Sequence, residues 1–446
     1  MLSKRHLFAV MCLLVFGAAL ATQGQETTPP PEQATVDAAV QTLIAQTQGA
    51  DAQMQITGTI QAALESALTA TAQAQILALT ATPTPTVVDW SNVTLASATE
   101  IDLRAGPGRT GAFLAPDGEK FAYLDDNTLC LYEGETKGNC VDLEDQVRGL
   151  DDESIRWSPD SRYLTFTENF LVMFVDSDIW MWDTVENTLT DLTQDNRDEV
   201  PITGDDWDGV DLAPDWTPDG RILFLRYSRT GGQFMPANIF TVTVDGEEEQ
   251  LGTIHLTDPF NDALSVYNLD VEGNQLVYLH AAASGMPDDG VWISDLDGSS
   301  ARQIVHTERE RMPVTVDLSP DGRYVLVITV PPFDLEYTAE TSVAYLVEVE
   351  TGDTMLIDPK AFVAGAGWTP EGSGLIYLTF NPLKAEPEGA VYVSATPGKA
   401  GDMILDARYS VPTSRWRQSL VWGANDTVLL ASAPGQSTIT LVQLQR

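Results

Sequence analysis

The chain has 446 residues, 43% of them hydrophobic, and sets 24 Lys and Arg against 65 Asp and Glu for a net charge of −41. Length and apolar content allow a large core. The charge opposes nucleic acid and anionic membranes as partners and otherwise serves solubility.

Residues 1–21 read as a secretory signal: Lys4 and Arg5 precede an apolar stretch, and Ala19-Leu20-Ala21 offers a small-residue cleavage site. The stretch is short for a spanning helix, so a membrane partner is expected only if the leader stays attached. Cys12 lies inside the stretch rather than after it, which argues against a lipoprotein site. Residues 22–89 are rich in Ala, Thr and Gln, and no Lys or Arg occurs between His6 and Leu103. Val36, Val40 and Leu43, then Ile56, Ile60, Leu64 and Leu68, recur at helical spacing. One reading is a helical stalk that makes a homo-oligomer through residues 36–80; the preferred reading is a low-complexity spacer. The run Thr80–Thr86, alternating Thr and Pro at its end, is extended in either case.

From about residue 90 a short phrase recurs. It reads APDG at Ala115–Gly118, WSPDS at Trp157–Ser161, WTPDG at Trp216–Gly220, LDVEGN at Leu269–Asn274, LSPDG at Leu318–Gly322 and WTPEG at Trp368–Gly372, with a degraded copy, VWGAND, at Val421–Asp426. A period of roughly 40 to 60 residues belongs to propellers and solenoids. Each phrase precedes two β-branched and aromatic runs of about five residues, such as Ile222–Leu225 and Asn238–Val242. A weaker third run follows in most units, for example Val141–Leu143, Ile254–Thr257 and Arg302–Val305. The phrase itself is a turn between a first and a second strand. Each unit is therefore a four-stranded antiparallel meander, and such sheets bury both faces by stacking radially. The expected fold is an all-β, seven-bladed propeller over residues 90–446, with six blades as runner-up. The last unit has too little chain for a fourth strand, so the segment Asn92–Leu103 is expected to supply it and close the ring.

These motifs resemble TolB-type WD-repeat propellers, and also the propeller domain of prolyl oligopeptidase and dipeptidyl peptidase IV relatives. The resemblance implies the blade and no activity. The α/β domain that precedes the TolB propeller and the hydrolase domain of the peptidases have no counterpart of matching length here.

Cys130 and Cys140 lie on consecutive strands, equidistant from the turn residue Glu135. An oxidising compartment allows a disulfide between them; the alternative is two reduced thiols packed between blades. Histidines are His255, His280 and His306 beyond the leader, and neither H-E-x-x-H nor G-x-S-x-G occurs, so zinc peptidase and serine hydrolase chemistry lack their anchors. The three histidines read as ordinary loop or strand-end residues. The densest acidic run holds Asp205, Asp206, Asp208, Asp211 and Asp215. It reads as a solvated loop, with Ca²⁺ held by Asp205, Asp206, Asp208 and Asp211 as the alternative; otherwise no cofactor is expected. Long connections, among them 195–215, 226–237, 330–343 and 406–419, should converge on one rim. They carry Tyr227, Arg229, Phe234, Phe333, Tyr337 and Tyr409, residue types favoured at binding hot spots. The expected function is a non-enzymatic, secreted or extracytoplasmic bacterial scaffold that binds a protein or an envelope polymer through that rim. The alternatives are a carboxylate-based polysaccharide-cleaving enzyme and a structural module oligomerised by its N-terminal segment.

Overall fold

The computed structural model describes residues 92–446 apart from 104–109, 145, 148, 169–176, 195–205, 232, 255–265, 281–288, 309–310, 331–342, 359–362, 381–388, 397, 407–408, 410–419 and 432–437. The chain divides into two units, Met1–Thr84 and Pro85–Arg446, and every described residue belongs to the second. The expected signal and the expected stalk or spacer, with the 36–80 segment read as an association helix, lie outside the described residues.

Seven antiparallel sheets form in chain order. Blade 1 runs through Thr110–Leu114, Lys120–Asp125, Thr128–Glu133 and Thr136–Asp142. Blade 2 takes Arg156–Trp157, Tyr163–Thr167, Ile179–Asp183 and Thr188–Asp191; blade 3 takes Trp207–Trp216, Ile222–Thr230, Asn238–Val242 and Glu248–Thr253, with Gln233–Phe234 as a short addition. Blade 4 comprises Val266–Glu272, Gln275–His280, Gly290–Asp295 and Arg302–His306. Blade 5 comprises Met312–Leu318, Tyr324–Val330, Ala344–Glu348 and Thr354–Leu356; blade 6, Val363–Trp368, Leu375–Phe380, Gly389–Ser394 and Asp402–Asp406. Blade 7 begins at Trp422, which bridges to Val428, and continues as Thr427–Ala431 and Thr438–Gln445. Its outer strand comes from the other end of the chain: Thr94–Asp102 pairs antiparallel with Thr438–Gln445, from Thr94 opposite Gln445 to Asp102 opposite Thr438.

The apolar clusters follow the same circle. Each joins two neighbouring sheets: blades 1 and 2 share Phe113, Leu124, Leu164 and Trp182, and blades 3 and 4 share Leu225, Ile239, Leu276 and Tyr278. The circle closes where Ile101, Leu429 and Ile439 of blade 7 meet Leu114, Phe121 and Tyr132 of blade 1. A sheet with both faces covered this way needs no helix to bury it.

The recurrent phrase has a local physical cause. In WTPDG the Gly220 amide donates to the Thr217 carbonyl at 2.9 Å, the Thr217 hydroxyl donates to Asp219 at 2.5 Å, and the Arg221 amide donates back to the Thr217 hydroxyl at 3.1 Å. Ser158 with Asp160 and Ser319 with Asp321 repeat the arrangement. The fifth position is left-handed, with φ 82° at Gly220 and 68° at Gly322, which explains the glycine. Ser161 holds φ 61° there in blade 2, a strain of about 1 kcal/mol. The phrase's Trp then ties its blade to the one before: the indole N–H of Trp157 donates to the Phe113 carbonyl, that of Trp216 to the Thr165 hydroxyl and that of Trp368 to the Asp317 carbonyl. Tyr163 stacks on Trp216, and Tyr324 on Trp368.

Strand assignments in blade 3 differ from the sequence reading, and residues 207–215 of the expected loop 195–215 are strand as well. The outer strand of blade 3 is Glu248–Thr253, not Ile254–Thr257. Its charged, exposed first half hides it from an apolar search, and such charge is what edge strands carry. The second strand of blade 3 runs on to Thr230, so much of the expected loop 226–237 is sheet.

Cys130 and Cys140 face each other in register and are joined by a disulfide with Cα atoms 4.0 Å apart. Reducing it, or replacing both residues by Ser, should lower unfolding stability by about 2–3 kcal/mol, the scale for a bridge closing so short a loop. The leader-free chain, denatured without reductant, should show no thiol reactive to a maleimide. Two reactive thiols would mean that the pair is reduced.

Candidate functional site

The first strand of blade 3 touches those of blades 2 and 4, and the first strand of blade 4 touches that of blade 5. First strands therefore line the axis. The residue just before each phrase's apolar anchor recurs at one level of that lining: Phe113, Arg156, Asp215, Asp270, Asp317, Gly367 and Val421 in blades 1 to 7. Blades 3, 4 and 5 thus bring three carboxylates side by side, with Arg156 at one end.

Two of these carboxylates reach forward by one blade. The Val271 amide donates to Asp215 Oδ2 at 2.9 Å, and the Leu318 amide donates to Asp270 Oδ2 at 2.7 Å. Asp215 Oδ1 accepts from the Trp216 amide at 2.9 Å. Asp215 and Asp270 also lie close enough for each to influence the other's charge. Burial pushes Asp215 up, opposed by Arg156 and its amide donors. Burial, then the like charges of Asp317 and Asp215, pushes Asp270 well above the usual carboxylate range. Glu272 is pushed up to about 7 by burial and by Asp317 and Asp215. In blade 6 the position is Gly367, and a Cβ there would meet the Leu420 carbonyl oxygen of blade 7, so no side chain fits.

A second polar cluster lies between blades 2 and 3, toward the other ends of the strands. Asp211 of the first strand of blade 3 is fully buried and grips Arg226 of the second strand through two 2.7 Å bonds. Arg226 also donates to Glu248 at 2.7 Å and lies over the rings of Phe224 and Phe240. Burial raises Asp211 to about 7 although Arg226 pulls it down. Burial opposes the charge on this guanidinium, 22% exposed, but Asp211 and Glu248 together outweigh it and hold the group charged. Nearby, Glu168 accepts from the Asp178 amide and the Trp180 indole at 2.9 Å each, and burial lifts it to about 7 against those bonds.

His280, expected at an open strand end, is fully buried in blade 4, with Nδ1 3.9 Å from Asp289. His306 is exposed and His255 lies outside the described residues.

The residues expected to bind are dispersed. Tyr227 is completely buried in the core between blades 3 and 4, because the strand continues past Leu225 and turns the ring inward. Arg229 is half-buried further along that strand, and Phe234 sits in the short strand Gln233–Phe234. Tyr409 is half-buried against the cluster joining blades 6 and 7. Phe333 and Tyr337 lie outside the described residues. Of the expected calcium ligands, Asp206 is exposed and accepts from the Gly231 amide, Asp208 is exposed, and Asp211 is committed to Arg226. Asp205 lies outside the described residues. Among the described residues no group of three or more His, Cys, Asp or Glu side chains is disposed to hold a metal. From Trp207 to Trp216 the chain forms one irregular strand, with Gly209 and Ala213 at positive φ at its bulges.

A polar recess of about 270 Å³ marks the closure seam between blades 7 and 1 and includes Lys120, Asn425 and Gln443. Gln443 donates across it to the Asn425 carbonyl at 2.7 Å. Among the described residues no helix is long and apolar enough to cross a membrane.

No family model matches the chain, and no curated protein matches it. Solved structures do. An oligogalacturonate lyase from Vibrio parahaemolyticus is 15% identical, with a TM-score of 0.52 over 79% of this chain and 98% of that one. An oligogalacturonate lyase in complex with manganese is 12% identical, with a TM-score of 0.50 over 78% of this chain and 91% of that one. TolB from Acinetobacter baumannii is 14% identical, with a TM-score of 0.38 over 66% of this chain and 65% of that one. At these identities the likeness is one of fold. The chain shares the propeller with such proteins, as its repeated phrase implies.

Proposed function

We propose that this protein is a binding scaffold: an extracytoplasmic propeller that holds a protein or an envelope polymer at the rim where its long connections emerge. The observation that carries this reading is topological. In each meander the phrase turn and the third-to-fourth-strand turn leave one rim, while the second-to-third-strand and blade-to-blade connections leave the other. Variable connections on a rigid closed disc are where binding residues concentrate. The most concentrated chemistry in the described residues, by contrast, is used within the scaffold, since Asp215, Asp270 and Asp211 spend their oxygens on neighbouring blades and strands. A disulfide and an N-terminal leader fit an oxidising, extracytoplasmic setting, with residues 22–89 as the spacer that presents the disc.

The carboxylates at the axis favour one alternative, cleavage of a polysaccharide. Against it, Asp215 and Asp270 each hold a backbone amide of the next blade, a structural use of groups that a glycosidase pair keeps for its substrate. A net charge of −41 also repels a polyanion such as oligogalacturonate.

The test is capture from envelope extracts by the immobilised leader-free chain. Replacing 331–342 or 381–388 by a short Gly-Ser linker should reduce capture at least tenfold. Substitutions on the phrase-turn rim, such as Asp219→Asn with Glu249→Gln, should leave it unchanged. Capture that survives both loop replacements, or turnover of a polysaccharide by the intact chain, would overturn the reading.

A further inference from the structure

We propose that the recess at the closure seam between blades 7 and 1 is a second binding site, one that takes a single neutral sugar ring. It opens on the phrase-turn rim, among the turns that hold Gly118, Gly134 and Asn425. It therefore stands apart from the rim assigned above and does not rest on that reading. The phrase turns explain why a recess exists here. In blades 1, 2, 5 and 7 the amide after the anchor donates to the carbonyl of the residue that opens the second strand: Ala115 to Lys120, Ser158 to Tyr163, Ser319 to Tyr324 and Gly423 to Thr427. In the first three of these, that residue meets the anchor indole of the following blade. Lys120 lies over the Trp157 ring, Tyr163 stacks on Trp216, and Tyr324 stacks on Trp368. Where blade 7 meets blade 1 the corresponding pair is Thr427 and Leu114. Neither carries a ring, and both line the recess. The space that an indole takes at the other three seams is left open at this one.

The lining has two characters. Leu114 and Leu441 are apolar and belong to the cluster that joins the two blades. Around them stand the hydroxyls of Ser97 and Thr99 from the N-terminal strand, the Glu119 carboxylate and the side-chain amide of Asn425. The two hydroxyls, the Glu119 carboxylate and the Asn425 amide nitrogen have no hydrogen-bond partner among the described residues. A pyranose is the complement of such a lining. It carries C–H groups across one face and hydroxyls around its edge, each both donor and acceptor. A volume of about 270 Å³ lies at the small end of ligand sites, which begin at roughly 300 Å³, and admits one ring rather than a chain. The net charge of −41 disfavours an anionic sugar.

Saturation-transfer NMR on the leader-free chain tests the site. The probes are glucose, galactose, mannose and N-acetylglucosamine, each free and as the terminal unit of a short oligosaccharide. At least one should bind, with millimolar affinity, and the two forms distinguish a free sugar from a polymer end as its source. Leu114→Trp supplies the missing indole and should abolish the signal. Ser97→Ala with Thr99→Val carries the test should that tryptophan unfold the chain. It alters two exposed residues and should weaken binding about tenfold, the combined effect of two lost hydrogen bonds. Absence of transfer to all four sugars in both forms would overturn the proposal. So would binding that the Ser97 and Thr99 substitutions leave unchanged. Replacing 331–342 or 381–388 should not alter sugar binding, and its loss there would place the sugar on the other rim and sink the seam site. Failed capture by that rim, with sugar binding intact, would leave the seam site standing.

Discussion

A chain that begins at residue 104 should not fold to a stable propeller. The segment Thr94–Asp102 pairs through eight residues with Thr438–Gln445. At a net value near 1 kcal/mol per backbone bond, its loss removes roughly 8 kcal/mol, against a total of about 5–15 kcal/mol for a folded domain. The loss also takes away Ile101, which covers Leu429 and Ile439 at the junction with blade 1. Thermal denaturation followed by circular dichroism should show an aggregated or non-cooperative product, whereas the chain from residue 86 should unfold cooperatively. A truncated chain that melts within about 2 °C of the longer one would refute closure by this strand. Ile101→Asp gives a milder form of the same experiment. It buries an unpartnered charge at a site 6% exposed and should cost about 2–4 kcal/mol.

Arg226→Ala should be the most damaging single substitution among the polar residues, at about 3–5 kcal/mol. It strands the Asp211 carboxyl, which is wholly buried, without its counter-ion. It also frees Glu248 and uncovers Phe224 and Phe240. The loss has a defined pH dependence. Asp211 is already raised to about 7, and without the guanidinium it rises further, so the variant folds as the neutral acid. Its deficit should be smallest near about pH 5 and grow as pH climbs past about 7. Combining Asp211→Asn with Arg226→Gln should recover much of the stability, because a neutral buried pair leaves no charge to compensate. Urea denaturation at the two pH values measures both effects. A deficit independent of pH would show that Arg226 acts through its packing on the two rings rather than through its charge.

The blade was legible because its signals are local. Thr217, Asp219 and Gly220 close their own turn with their own hydroxyl, carboxylate and left-handed backbone, and the phrase repeats wherever that turn repeats. Closure by the N-terminal segment was legible as arithmetic, since the seventh unit lacks chain for its last strand. The outer strand of blade 3 was not, because Glu248–Thr253 contributes backbone bonds and few buried side chains. Tyr227 was misplaced for a related reason. A mixed run of Arg226, Tyr227, Ser228 and Arg229 looks like a loop, yet alternate residues of a long strand turn to opposite faces and the tyrosine turns inward.

The site separates what is local from what is not. The three axial aspartates carried a faint signal, an Asp immediately before the apolar anchor in three successive units. Along the chain, however, Asp215 reads as the last member of the run that begins at Asp205. Arg226 is fifteen residues from Asp211 and Asp289 nine from His280, and no spacing rule joins either pair. From its residues alone this chain determines a repeated turn, a four-stranded unit and a ring that needs both ends to close, because turn chemistry and strand patterning act over a few positions. Which carboxyl groups hold the neighbouring blade, which one meets an arginine and which aromatic rings are buried were decided only by strand register and radial packing, which bring together residues fifteen to more than fifty positions apart and exclude the water that would otherwise make each of them ordinary.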